Sequence, residues 1–190
     1  MHTAAPTVAD EEGHSKQRQK DSFRKFWQGM LTQKYLTSDN QPVPVLPHLY
    51  IGSIGAGANW DALCELGITY VLVASETVAF TFESSKRFEY LRVGVPDDPS
   101  AQIIDFFDQS NAFIARGRDG GNHILVHCFA GKSRSATLVL AYLIAAEGHS
   151  YESALAVLRQ TRPQAQPNHG HVGYMISTGL LMFVIDLPSS

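Results

Sequence analysis

Two spacings of apolar residues alternate along this chain. Short apolar runs at Ile68 to Val73, Phe88 to Val95 and Ile124 to Val126 read as buried strands. Elsewhere apolar positions recur every three or four residues. That spacing predicts helices over Trp60 to Leu66, closed by Gly67, and over Gln102 to Ala115 through Ile103, Phe106, Phe107 and Ile114. It also predicts an amphipathic helix over Tyr151 to Gln160 through Ala154, Leu155, Val157 and Leu158. Ala136 to Ile144 is apolar nearly throughout and reads as a buried helix, and Val172 to Ile185 reads as a closing helix. Strands alternating with helices predict an α/β fold with a central, mostly parallel sheet flanked by helices.

The first 45 residues break this pattern. Met1 to His14 is small, polar and acidic at Asp10-Glu11-Glu12, the composition of a disordered stretch. Ser38 to Pro47 holds three prolines and reads as a linker. Between them, residues 16–35 carry six Lys or Arg and one Asp, with Phe23, Phe26, Trp27, Met30 and Leu31 on one helical face. Such a face either packs on the domain as an extra helix or binds calmodulin, an anionic membrane or a docking partner. The expected organisation is therefore a tail over 1–45 and a folded domain over 46–190.

A strand ending at Val126 and a helix starting near Ala136 leave His127-Cys128-Phe129-Ala130-Gly131-Lys132-Ser133-Arg134-Ser135 between them. A small-residue loop running into a helix start is an anion trap, because loop amides point inward and the helix N-terminus adds partial positive charge. Arg134 can add a bidentate fork for two phosphate oxygens. Cys128 brings chemistry: a thiolate is a nucleophile, and a helix N-terminus with an arginine favours thiolate over thiol. The competing reading is an inert cysteine buried before a core helix.

Cys128, five residues and Arg134 match the signature of the cysteine-dependent protein phosphatases. The fuller string His-Cys-x-x-Gly-x-Ser-Arg-Ser, followed by Ala-Tyr-Leu, resembles the dual-specificity phosphatases in particular. The resemblance spans about Pro44 to Val184 and implies a protein tyrosine phosphatase-like fold, in which Leu46 to Ser53 resembles the family's opening strand. It implies hydrolysis of phosphotyrosine and phosphoserine or phosphothreonine through a phosphocysteine, with no metal or cofactor. Residues Phe129, Ala130, Gly131, Lys132, Ser133 and Arg134 would form the phosphate loop. The family's general acid sits in a loop about thirty residues before the cysteine. Asp97, 31 residues before Cys128, fits that place, and Asp98 is the near alternative, otherwise a helix cap or turn residue. The family uses a Ser or Thr at the place of Ser135 to hydrogen-bond the sulfur as it leaves; a helix N-cap is the other role, and the two are compatible. Ser133 reads as a support of the loop, His127 as a hydrogen-bonded residue that orients it rather than a proton shuttle, and Lys132 as an outward charge that sets local potential.

The remaining motifs are weaker. Arg162-Pro163 matches a family pair, and Arg159 either contacts a second phosphate or faces solvent. Pro167-Asn168-His169-Gly170 resembles a family turn that continues with phenylalanine, where His171 stands here. His169 and His171 alone are a poor basis for a zinc site. Gly55-Ala56-Gly57 lacks the third glycine of a dinucleotide fingerprint and reads as a turn.

Composition narrows the function classes. A net charge of −3 and a pI near 6.2 point away from nucleic acid. With no run of about twenty apolar residues and no signal-like N-terminus, an intracellular protein is expected, cytoplasmic or also nuclear. Two cysteines, Cys64 and Cys128, are too few for a disulfide scaffold. The expected partner is a phosphorylated protein, with a mitogen-activated kinase as the family-based candidate. A non-catalytic phosphoprotein scaffold, or a phosphatase acting on phosphoinositides, phosphoglucans or RNA 5′ phosphates, are the alternatives.

Overall fold

A computed structural model describes residues 8–177. Its sheet has five strands, β1 (Val43–Leu46), β2 (Leu49–Gly52), β3 (Ile68–Ala74), β4 (Glu89–Val93) and β5 (His123–His127), in the order β1-β2-β5-β3-β4. β1 runs antiparallel to β2, and every other pairing is parallel. The expected mostly parallel α/β architecture is therefore the observed one. Parallel strands covered on both faces need apolar side chains on both, which is why β3 and β5 read as unbroken runs.

The helices are α1 (Val8–Ser38), α2 (Ile54–Gly57), α3 (Trp60–Glu65), α4 (Phe107–Asp119), α5 (Arg134–Ala145), α6 (Tyr151–Thr161) and α7 (His169–Ser177). Strand alternation divides the interior in two. Ile124 and Val126 of β5 join Leu72, Ala74 and Val93 in the larger core, roofed by α4, α5 and α6. Leu125 joins Val71, Val73 and Phe88 on the other face, under Ala56 of α2 and Leu63 of α3. α5 is buried from Arg134 to Ile144, as its apolar run requires. β5 lies inside the sheet and delivers its carboxyl end to the start of α5, the end of a parallel sheet at which ligands bind.

Several boundaries differ from the sequence reading. The expected linker Ser38–Pro47 contains β1, whose Pro44 is tolerated because β1 is an edge strand with one neighbour. The expected opening strand Leu46–Ser53 is two strands joined at Pro47-His48, where His48 has φ 68°. The stretch read as disordered is helical from Val8, and Met1 to Thr7 lie outside the described residues. Gln102–Ala115 divides into a 3-10 turn at Ile103–Phe106 followed by α4. The closing helix starts at His169, and its continuation to Ile185 lies outside the described residues. Gly55-Ala56-Gly57 forms a helical turn capped by Ser53, whose Oγ accepts from Gly55 N at 3.0 Å.

The two ends of the N-terminal helix have different surroundings. Phe23 (63 % exposed), Phe26, Trp27 (47 %), Met30 and Leu31 face solvent. The C-terminal end docks: the Tyr35 ring meets Phe129 edge-on with centroids 5.5 Å apart, and a Cβ on Gly55 would overlap the Tyr35 carbonyl. Among the described residues no helix is long and apolar enough to cross a membrane.

Candidate active site

The loop between β5 and α5 closes around the Cys128 sulfur. Gly131 N–H points at Sγ from 3.2 Å and Ser135 Oγ lies 3.3 Å from it. Cys128 is 1 % exposed, at the floor of the loop rather than on its rim.

The direction of the loop amides follows from what holds the carbonyls. Cys128 O meets His127 Nδ1 at 3.3 Å, and Phe129 O accepts from Ile54 N at 3.0 Å. Ala130 O and Gly131 O accept from Arg162 Nη2 and Nε, each at 3.1 Å. Lys132 O accepts from Gln166 N at 2.8 Å, and Ser133 O from Thr137 N at 2.8 Å and Thr137 Oγ1 at 2.9 Å. In a trans peptide the carbonyl and the next N–H point in opposite directions. Carbonyls anchored outward from Cys128 to Ser133 therefore turn the amides of Phe129 to Arg134 toward the sulfur side. Gly131 can join this ring because its φ of +65° costs glycine little, and a Cβ there would overlap the Arg162 guanidinium and the Gly52 carbonyl.

Arg134 opens α5 at 9 % exposure. Its Nη1 donates to Val95 O at 3.3 Å, while its buried Nε has no hydrogen-bond partner and sits 3.6 Å from Asp97 Oδ2. A buried guanidinium N–H without an acceptor is costly, so an anion supplying oxygens here is favoured. The α5 N-terminus adds its dipole at the same place.

The two aspartates separate. Asp97 faces the loop at 40 % side-chain exposure, its Oδ1 accepting from Asn168 Nδ2 at 3.3 Å. Asp98 turns away: its Oδ1 accepts from Ser100 Oγ at 2.5 Å and Ser100 N at 2.8 Å. These bonds, the side-chain one first, hold the Asp98 carboxyl below its usual range. Asp98 thus occupies the turn role that was its alternative reading. Ser135 sits inside the first turn of α5, against the sulfur, and Ser133 takes the N-cap position, so an N-cap role for Ser135 is excluded. Ser133 Oγ accepts from Asn168 N at 3.2 Å, bracing the loop. Lys132 is exposed. His127 is buried against Gly57, and burial pushes its imidazole down to about 4, so it stays neutral and orients the loop.

Four contributors were not singled out as site residues from the sequence. Asn168 Oδ1 accepts from His171 N at 3.0 Å, which fixes its amide and aims Nδ2 at both Asp97 and His171 Nε2. His171 Nε2 is therefore an acceptor, its Nδ1 proton goes to Thr137 Oγ1 at 3.3 Å, and Thr137 donates onward to Ser133 O. Burial lowers the His171 pKa while the Asp97 charge opposes that shift. His171, where the family carries phenylalanine, thus fills the turn as a hydrogen-bonded core residue. Arg162 and Asp39 complete the set. Arg162, noted in the sequence for its pairing with Pro163, is 2 % exposed and pairs bidentately with Asp39, both N···O distances being 2.6 Å. Arg159 is exposed and donates to Ala165 O at 3.0 Å.

The family model described as dual specificity phosphatase, catalytic domain, matches residues 49–179. The chain belongs to that family. Human dual specificity protein phosphatase 6 is 34% identical over 137 residues, covering 71% of this chain and 35% of that protein. Dual specificity protein phosphatase 22-B of Danio rerio is 38% identical over 126 residues, covering 66% of this chain and 67% of that protein. Among solved structures, the human tyrosine phosphatase-like serine/threonine/tyrosine-interacting protein superposes with TM-score 0.70 at 29% identity, over 75% of this chain and 97% of that one. The chain thus spans about a third of the length of the first relative. In this dual-specificity phosphatase domain the matched region holds Cys128, Arg134, Asp97 and Ser135, and Asp39 lies ahead of it.

Proposed function

We propose that this chain is a cysteine-dependent protein phosphatase that hydrolyses phosphotyrosine and phosphoserine or phosphothreonine through a phosphocysteine. The observation that carries the reading is one sulfur in a loop whose Gly131 N–H points at it, the loop running into Arg134, whose buried Nε has no hydrogen-bond partner and lies 3.6 Å from Asp97. In the first step the Cys128 thiolate attacks phosphorus. The S–P bond forms, the ester P–O bond breaks, and Asp97 gives its proton to the leaving oxygen. In the second step water attacks phosphorus, Asp97 carboxylate takes a proton from that water, and the S–P bond breaks. Ser135 Oγ–H then donates to the departing thiolate, and inorganic phosphate leaves. Arg134 and the loop amides hold the equatorial oxygens throughout.

The name of the structural neighbour keeps one other reading in view, a phosphatase-like scaffold that binds phosphoproteins without turnover. A phosphatase acting instead on lipid, glucan or RNA phosphate esters is the remaining alternative. Phosphate release from phosphotyrosine and phosphothreonine peptides, with wild type and Cys128→Ser, separates these. Release from both, lost in the variant, is expected. Binding without release would establish the scaffold, and neither would redirect the search to the other esters. A doubly phosphorylated mitogen-activated kinase is the first protein substrate to try, in the cytoplasm or nucleus where thiols stay reduced. The solvent-facing stripe of α1 supports a partner surface, for which calmodulin, an anionic membrane and a docking protein are candidates.

A further inference from the structure

The end of α1 reaches the catalytic loop through one side chain. Asp39 follows α1 directly and is fixed twice by its backbone: its N–H donates to Tyr35 O at 3.3 Å, and its carbonyl accepts from Ser53 Oγ at 2.6 Å. Its carboxylate, 23 % exposed, takes both terminal nitrogens of Arg162 at 2.6 Å. The guanidinium is planar, so engaging Nη1 and Nη2 on one side sets where Nε and the second Nη2 proton point. They point at Gly131 O and Ala130 O. Holding those carbonyls outward turns the N–H groups of Gly131 and Lys132 inward, and Gly131 N–H is the one aimed at the sulfur. The tie thus runs from carboxylate to guanidinium to two loop peptides.

We propose that Asp39 is a positioning residue for the phosphate loop, acting through Arg162, so that the functional unit begins at the end of the N-terminal helix and not at the first residue of the family match. The inference rests on the phosphate-ester reading of the same loop. Without the Asp39 charge, the buried Arg162 fork loses the bidentate partner that sets its plane, and the two consecutive peptides it holds are aligned less firmly. The loop then presents fewer aligned donors to a trigonal-bipyramidal phosphorus, and a single misplaced donor of this kind lowers turnover by about tenfold or more.

The test uses the full chain with Asp39→Asn, Asp39→Glu and Arg162→Lys. Orthovanadate affinity is read by competition or calorimetry, kcat and KM are read with para-nitrophenyl phosphate, and melting temperature is read alongside. For Asp39→Asn, orthovanadate affinity and kcat are each expected to fall by about tenfold, with KM changing less. Asp39→Glu, which keeps the charge, is expected to recover most of both. Arg162→Lys keeps the ion pair but loses the fork, and is expected to match Asp39→Asn; it carries the test if Asp39→Asn does not fold. A lowered melting temperature with orthovanadate affinity and kcat within about twofold of wild type would show a purely structural pair and overturn the proposal. Orthovanadate binding needs no turnover. A wild type that binds it yet releases no phosphate would defeat the catalytic reading while leaving this one standing.

Discussion

Burial of His127 makes the stability of this fold fall on mild acidification. The ring lies in the core between β5 and α2, too close to Gly57 for a Cβ to fit there, and its Nδ1 meets the Cys128 carbonyl. Desolvation, with a smaller push from Arg92, lowers its pKa from 6.5 to about 4. The unfolded chain therefore binds a proton that the folded chain refuses. Stability from this group is complete above pH 6.5 and is lost as pH falls toward 4. The full shift corresponds to about 3 kcal/mol, of which about 2 kcal/mol is gone by pH 5. That is a large share of the roughly 5–15 kcal/mol that holds a domain together. Urea denaturation at pH 7.5 and pH 5.0 measures the loss in wild type and in His127→Asn. The variant starts less stable, but its loss between the two pH values is expected to be smaller by about 2 kcal/mol. His171, whose pKa is also lowered by burial, contributes to both proteins and cancels in the comparison. Equal losses in the two would refute the assignment of a neutral, buried His127.

Three further outcomes follow from the site. Asp97→Asn is expected to lower kcat about 10²-fold or more, whereas Asp98→Asn stays within a few-fold; the reverse order in peptide assays would reassign the acid. Ser135→Ala leaves the first step intact and slows the second about 10–100-fold, so stopped-flow nitrophenolate release shows a burst followed by a slow phase; an unchanged kcat would remove Ser135 from the mechanism. Gly131→Ala forces a side chain into a left-handed conformation against Arg162 and Gly52, and is expected to lower orthovanadate affinity at least about tenfold with a clear drop in melting temperature; wild-type affinity would show that the loop tolerates a turned peptide here.

How legible each part was depended on whether its cause is local. The strands β3 and β5 and the helix α5 announce themselves because burial on both faces, or all round, leaves no polar positions to confuse the period. β1 was hidden by its own prolines: Pro44 reads as a linker residue unless the strand is known to be an edge, and being an edge is a property of the sheet. The start of α1 at Val8 was hidden by acidic, polar composition, which describes solvent exposure as well as it describes disorder. Its apolar stripe was visible, but whether the stripe packs was not. The docking contact falls at Tyr35 and Asp39, beyond the stripe, where small residues at Gly55 and Gly57 admit a close backbone and the His127 ring.

The site divides along the same line. Cys128, Gly131, Arg134 and Ser135 lie within eight consecutive residues, so one strand–loop–helix geometry explains them together. The direction of the loop amides is decided elsewhere, by Ile54, Thr137, Arg162 and Gln166 holding carbonyls from outside. Asp39 is separated from Arg162 by 123 residues, and no local pattern marks either as a partner of the other. Asn168 belongs to a recognisable turn, yet its pairing with Asp97 spans 71 residues. A short signature thus brings the sulfur, the hydroxyl and the guanidinium into one loop, while the fold specifies where the loop dipoles point. Since electrostatic preorganisation depends on that direction, a chain with every signature residue intact could still lose function through Asp39, Arg162 or Asn168. Intactness of the signature is therefore necessary for turnover and insufficient for it, and the anchors outside it are where an inactive relative with this loop should differ.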